Sequence, residues 1–273
     1  MLFVTGDVHG NFYRRFREEV FERQKELTRE DYVCVAGDFG IWNKSKVRQE
    51  ELDWLENRNF TTLFVEGNHS NYDILDELPV EMWHGGKVHF IRPHIIHLMR
   101  GQVYEICGKK IFTFGGAQSH DIKDGILEPG DSRIHTWSRN RWKMFRVNHV
   151  SWWERELPNQ EEMDEGRKNL AEHNNKVDFI ITHCASSSTQ ALLSQGFFAA
   201  DKLTDYLEII KQTTEYEKWF FGHYHIDKVI DEKDLCVFRK IIHSVDVVRY
   251  VALIQAKSST NCNAHLVESI FQT

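Results

Sequence analysis

Residues 2–10 read Leu2-Phe3-Val4-Thr5-Gly6-Asp7-Val8-His9-Gly10: four residues of buried-strand character, a glycine, then two side chains able to bind a metal. The same grammar returns along the chain. Residues 32–36 lead into Gly37-Asp38, residues 61–65 towards Gly67-Asn68-His69, residues 179–182 into His183, and residues 219–221 into Gly222-His223-Tyr224-His225. Between the first three strands, apolar residues recur at helical spacing: Phe12, Phe16 and Val20 in a charged segment reaching about residue 27, then Val47, Leu52 and Leu55. The order is βαβαβ. Asp7, Asp38 and Asn68 stand 31 and 30 residues apart, one βαβ unit each. That spacing puts all three just past the C-terminal ends of neighbouring parallel strands, the edge at which open parallel sheets bind ligands.

From Val88 onwards the texture changes, and a second, more antiparallel sheet is expected to begin there. Residues 95–98, 103–107 and 111–114 are short strand-like runs, the last two joined through Gly108-Lys109 as a hairpin. A long irregular stretch at about 118–158 precedes a helix near 160–174. Strand-like runs at 228–230, 235–242 and 249–253 close the chain. Two sheets packed face to face with helices outside is the simplest arrangement of these parts. A single domain over residues 1–273, with the 118–158 segment inserted on the substrate side, is the expected organisation.

With 273 residues and a net charge of −7, the chain has material for a deep core but no overall field for long nucleic acid. No apolar run reaches the ~18 residues of a membrane span. The five cysteines, Cys34, Cys107, Cys184, Cys236 and Cys262, are odd in number and form no C-x-x-C pair. A reducing cytoplasm is therefore the expected compartment, and Cys184 reads as a packing residue rather than a nucleophile.

Taken singly, Asp7 or Asp38 could be a helix N-cap and His183 a core histidine. Their recurrence at five strand ends points instead to metal. Two dications about 3.5–4 Å apart repel, so they need a carboxylate or hydroxide between them. Asp38 is assigned that bridge, with Asp7, His9 and His225 on one metal and Asn68, His183 and His223 on the other. Oxygen and imidazole donors without thiolate suit manganese first, then iron, zinc, cobalt or nickel, over calcium or magnesium.

These motifs resemble the calcineurin-like metallophosphoesterase superfamily from Asp7 to His225, and also its small bacterial and phage phosphohydrolases through Gly115-Gly116-Ala117, Ser151-Trp152-Trp153-Glu154 and Ile181-Thr182-His183. The resemblance implies an α/β (by some schemes α+β) four-layer αββα sandwich of two mixed sheets flanked by helices. It also implies a dinuclear centre on the seven residues just named, phosphoester hydrolysis by a metal-bridging hydroxide, and a catalytic His69 beside Asn68, working with Asp38. The second motif departs from phosphoprotein phosphatases of the superfamily: Gly37-Asp38 is followed by Phe39-Gly40-Ile41, without a phosphate-gripping arginine.

Substrate choice is expected to lie in the irregular segment. Arg133, Arg139, Arg141, Lys143 and Arg146 alternate there with Trp137, Trp142 and Phe145, a pattern that could grip phosphate and stack a base, or cap a core or a dimer contact. Gln118, Ser119, His120 and Asp121 follow a strand end and could line the cleft. Residues 151–154 form either a wall of the site or a buried brace, the brace being favoured. The expected substrate is a small phosphorylated molecule or nucleotide, cleaved by phosphatase or phosphodiesterase action. Oligonucleotide cleavage is the alternative; a serine/threonine protein phosphatase and a non-catalytic metal-binding scaffold rank below it. Oligomeric state is left open.

Overall fold

The computed structural model describes residues 1–41 and 43–246; the run at 249–253 and Cys262 lie outside these. The chain opens with β1 (Leu2–Thr5), α1 (Phe12–Phe16), β2 (Tyr32–Val35), α2 (Lys46–Glu56) and β3 (Thr61–Phe64). The three strands pair in parallel, Leu2 beside Tyr32 and Tyr32 beside Thr61, as the βαβαβ pattern requires. α3 (Tyr72–Asp76), β4 (Glu81–Trp83), β5 (Gly86–Arg92), β6 (Ile95–Leu98), β7 (Gln102–Ile106) and β8 (Lys109–Phe114) follow. Then come β9 (Gly125–Leu127), α4 (Arg133–Trp137), β10 (Phe145–Val147), α5 (Gln160–Glu172), β11 (Phe179–Thr182), α6 (Ser187–Ser194), α7 (Lys202–Thr213), β12 (Lys218–Phe221), β13 (Lys228–Val229), β14 (Asp234–Cys236) and β15 (Ile242–His243).

One mixed sheet has the order β15-β1-β2-β3-β6-β5-β4 and the other β13-β14-β12-β11-β8-β7. Side chains alternate across each strand, so every central strand feeds two cores. Val4, Cys34, Leu63 and Ile96 meet Ile111, Phe179, Ile181 and Phe220 between the sheets. Phe3, Val33 and Phe64 turn outward to Phe12, Phe16, Leu52 and Leu55. On the far side, Phe112, Ile180 and Trp219 pack against Leu170, Leu203, Leu207 and Ile210 of α5 and α7. Helix, sheet, sheet, helix is the αββα sandwich.

Several boundaries differ from expectation. The second sheet begins at Gln102, not near Val88, because β6 pairs in parallel with β3 and β5 extends the first sheet. β6 is apolar on both faces, with Ile95 towards the helices and Ile96 towards the sheet interface, as an interior strand must be. The hairpin turns at Cys107-Gly108, both with positive φ (52° and 71°), one residue before the expected pair; Ile106 and Lys109 close it. α1 stops at Phe16, and a 3-10 turn at Glu22–Glu26 replaces the rest of the expected helix. A continuous helix would bury Val20; the break exposes it and seats Phe21 against Phe3 and Phe60 instead. The run at 235–242 splits, β14 joining one sheet and β15 crossing to pair antiparallel with β1 in the other. Residues 118–158 hold the parallel pair β9–β10 and α4.

Truncating Phe220, fully buried between the sheets, is expected to cost roughly 3–5 kcal/mol in urea denaturation. Truncating Phe197, which is 82% exposed, should stay within about 0.5 kcal/mol.

Candidate metal centre

The parallel strands β1, β2 and β3 deliver Asp7, His9, Asp38, Asn68 and His69; β11 and β12, from the facing sheet, deliver His183, His223 and His225. All reach the same end of the sandwich. Four of the expected ligands sit in the left-handed region: His9 (φ 49°), Asp38 (44°), His223 (69°) and His225 (51°). Such backbone is costly for non-glycine residues and concentrates at functional sites. Two of the glycines allow the loops to close: a Cβ on Gly67 would stand 2.1 Å from Asp38 Oδ1, and one on Gly222 would stand 2.3 Å from Asp7 Oδ1.

Each buried carboxylate is held at one oxygen by a backbone N–H and turns the other to the imidazoles. The backbone N–H of His223 donates to Asp7 Oδ1 (2.9 Å), and that of His69 donates to Asp38 Oδ1 (2.9 Å). The second oxygens face the imidazoles. Asp7 Oδ2 is 3.0 Å from His225 Nε2 and 3.9 Å from His9 Nε2, while Asp38 Oδ2 is 3.9 Å from His9 Nε2 and 3.5 Å from His183 Nε2. Asp7 Oδ2 has no hydrogen-bond partner although it is buried. His9 and His225 bring their Nε2 atoms to 3.0 Å of each other, and His183 Nε2 lies 3.2 Å from Asn68 Oδ1. Ala36 O accepts from His183 Nδ1 at 3.0 Å, which leaves Nε2 as the free donor atom. Two groups, Asp7–His9–His225 and Asp7–Asp38–His183, each gather their ligand atoms within 4.8 Å.

Charge balance agrees with a cation site. Burial opposes charge on His183, but Asp38, Asp7 and the Ala36 carbonyl outweigh it and lift the imidazole to about 9. Burial likewise pushes Asp38 up, yet His183, His69 and His9 hold it well below the ordinary carboxylate range. The site thus draws positive charge to its centre. These donors fit divalent metals.

A surrounding shell, not legible in sequence, fixes the ligands. The half-buried Arg15 donates to Thr5 Oγ1 and to the carbonyls of Gly6 (3.1 Å), Asp7 (3.0 Å) and Phe238 (2.6 Å). Asn68 Nδ2 donates to Ser119 Oγ (3.3 Å), and Glu156 accepts from Ser119 N–H (2.8 Å) and Oγ–H (2.7 Å). Buried Glu66 binds Arg100 (2.5 Å) and His97 (2.8 Å) under the Asn68 loop. Glu66 lies two residues beyond β3 and Ser119 five beyond β8, in the stretch expected to line the cleft; no motif marks either for this role.

A cavity of about 950 Å³ opens over Asp7, His9, His69 and His225. Arg146 lines it, clamped by Asp121 (2.6 Å) and 3.4 Å from both ring nitrogens of His69. Of the other expected substrate residues, His120 abuts the expected ligand His223 and the rest lie away from the cavity lining. Arg133 is paired with Asp131 (2.6 Å), Arg141 lies over Trp142 (4.9 Å), and Arg139 lines a separate surface hollow with Ile134 and His135. Gln118 is half-buried outside the cavity lining. His120 stacks on Phe198 (4.1 Å between ring centres) and brings Nε2 to 3.1 Å from His223 Nε2. Ser151 lines the cavity, whereas buried Trp153 donates to Asp73 (2.8 Å) as a brace. Cys184 is buried in the core behind α7.

The model of the calcineurin-like phosphoesterase family matches residues 2–227, a span containing all seven expected ligands. A family of unknown function matches residues 236–273. No curated protein matches the chain. Among solved structures, the phosphopantetheinyl hydrolase of Mycobacterium tuberculosis is similar at 15% identity over 87% of this chain and 89% of that one, with a TM-score of 0.39. The strand-end ligands, the αββα layers and the family match agree: this chain belongs to the calcineurin-like phosphoesterase family and is a metal-dependent phosphoester hydrolase.

Proposed function

We propose that the chain hydrolyses a small phosphorylated molecule or nucleotide with two divalent metals, manganese first among them. Asp7, His9 and His225 would hold one, Asn68, His183 and His223 the other, and Asp38 would bridge. The observation that carries this reading is the pair of carboxylates: Asp7 Oδ2 and Asp38 Oδ2 face three converging imidazole nitrogens, of His9, His183 and His225, while their Oδ1 atoms are tied to backbone. Metals bound there would supply an acidified water and polarise the phosphoryl oxygens. The buried free thiols Cys34, Cys184 and Cys236 fit a reducing cytoplasm. We treat the chain as one domain whose 118–158 segment contributes Asp121 and Arg146 to the substrate side.

His69 is the proton donor to the leaving oxygen in this scheme. Its imidazole lies beside His9 at the cavity floor, and burial, reinforced by Arg146, lowers its proton affinity against the pull of Asp38. An arriving phosphoryl dianion restores that affinity by adding negative charge beside the ring. Arg146, aligned by Asp121, positions both imidazole and phosphoryl group. His69→Asn is expected to lower kcat on p-nitrophenyl phosphate or its bis-ester by roughly 10²–10⁴, with metal content unchanged by elemental analysis. Unchanged kcat would remove the proton role.

Ser119 and Glu156 orient Asn68, and this support is pH-dependent. Burial lifts the Glu156 carboxyl from 4.5 to about 7 despite its bonds from Ser119. A carboxyl raised on folding favours the native state below the ordinary carboxylate range, and that stability is lost as pH rises through about 7. Glu156→Gln removes the titration. Its melting temperature relative to wild type should therefore rise by a few degrees between about pH 5 and about pH 8; a gap constant with pH would show that the carboxyl does not titrate there.

A further inference from the structure

Besides Arg146 and the hydrogen-bonded Arg15, three arginines line the same cavity: Arg14 and Arg17 at the end of α1, and Arg239 after β14. All three are exposed, and among the described residues none has a carboxylate at ion-pair distance, whereas Arg146 is clamped by Asp121. Arg15 itself is not available to a ligand, because its N–H groups are taken up by the carbonyls of Gly6, Asp7 and Phe238. Those bonds fix the Phe238 backbone to the Asp7 loop. The Phe238 ring then stacks on His225 (4.8 Å, 17°) and carries the Arg239 guanidinium at 5.3 Å. One aromatic ring separates an expected metal ligand from the Arg239 guanidinium.

We propose that Arg14, Arg17 and Arg239 form a second anion subsite, so that the substrate carries another phosphoryl-type group besides the one that is cleaved. This rests on the phosphohydrolase reading above and narrows its substrate class. Two dications held by two carboxylates already leave excess positive charge for one phosphoryl group. Three further guanidiniums call for additional negative charge, and guanidinium is the side chain best shaped for phosphate oxygens. In a chain of net charge −7 this concentration is local. The second group could be contiguous with the first, as in a diphosphate, or separated by a spacer.

The test uses metal-loaded protein hydrolysing p-nitrophenyl phosphate, with methylphosphonate, methylene-linked diphosphonate and propylene-linked diphosphonate as competitors under excess metal. At least one two-headed inhibitor should bind about tenfold more tightly than methylphosphonate, and the better one reports whether the anions are contiguous or spaced. That advantage should collapse in R14Q/R17Q/R239Q, with R239E alone as a second variant. Equal potency of one- and two-headed inhibitors in wild type would overturn the subsite. So would an advantage that survives the charge removal, because it would come from metal chelation. Absence of any aryl phosphate hydrolysis would instead fail the parent reading; the same inhibitor series, read by calorimetry on wild type and variants, then still decides the subsite by the same two criteria.

Discussion

Two backbone hydrogen bonds hold the site together. The N–H of His69 on Asp38 and the N–H of His223 on Asp7 each join the loop that follows one strand to the carboxylate that follows another. The second of these crosses from one sheet to the other. A carboxylate tied at one oxygen cannot rotate away, so its free oxygen is aimed before any cation arrives, which is the preorganisation a metal site needs. The glycines at 67 and 222 exist at those positions because a Cβ would occupy the space of the same two oxygens. The left-handed φ of Asp38, His223 and His225 is the conformational cost of the approach.

Much of this was legible in the sequence, and the reasons are specific. Asp7, Asp38 and Asn68 could be placed together because parallel strands joined by helices repeat at nearly constant spacing, so chain distance maps onto position at a sheet edge. His183 and His223 were legible because an apolar run led into each, and His225 through the Gly222-His223-Tyr224-His225 motif. Arg146 was visible only as one of several cations in a basic run. What singles it out is Asp121, 25 residues away in the chain and 2.6 Å away in space. Glu66, Glu156 and Arg15 were illegible for a similar reason, and Ser119 was visible only as a cleft-lining candidate, not as a support for Asn68. Each acts through hydrogen bonds or ion pairs to other segments, and no period or motif encodes such a partner.

The errors in fold are equally informative. Residues 88–98 read as the start of a new sheet because antiparallel texture is local, whereas sheet membership depends on pairing with β3, a non-local fact. Residues 235–242 read as one strand, but the chain uses them to cross between sheets, and Phe238 at the crossing lies beside His225. The crossover thereby places an aromatic ring and Arg239 in the lining of the cavity, beside residues of the 118–158 segment.

The central claim is that two metals share this site with Asp38 between them. Anomalous diffraction from manganese-loaded crystals tests it directly. The account predicts two peaks about 3.5–4 Å apart, one among Asp7, His9 and His225, the other among Asn68, His183 and His223, with Asp38 Oδ2 contacting both. A single peak, or two peaks without Asp38 between them, would contradict it.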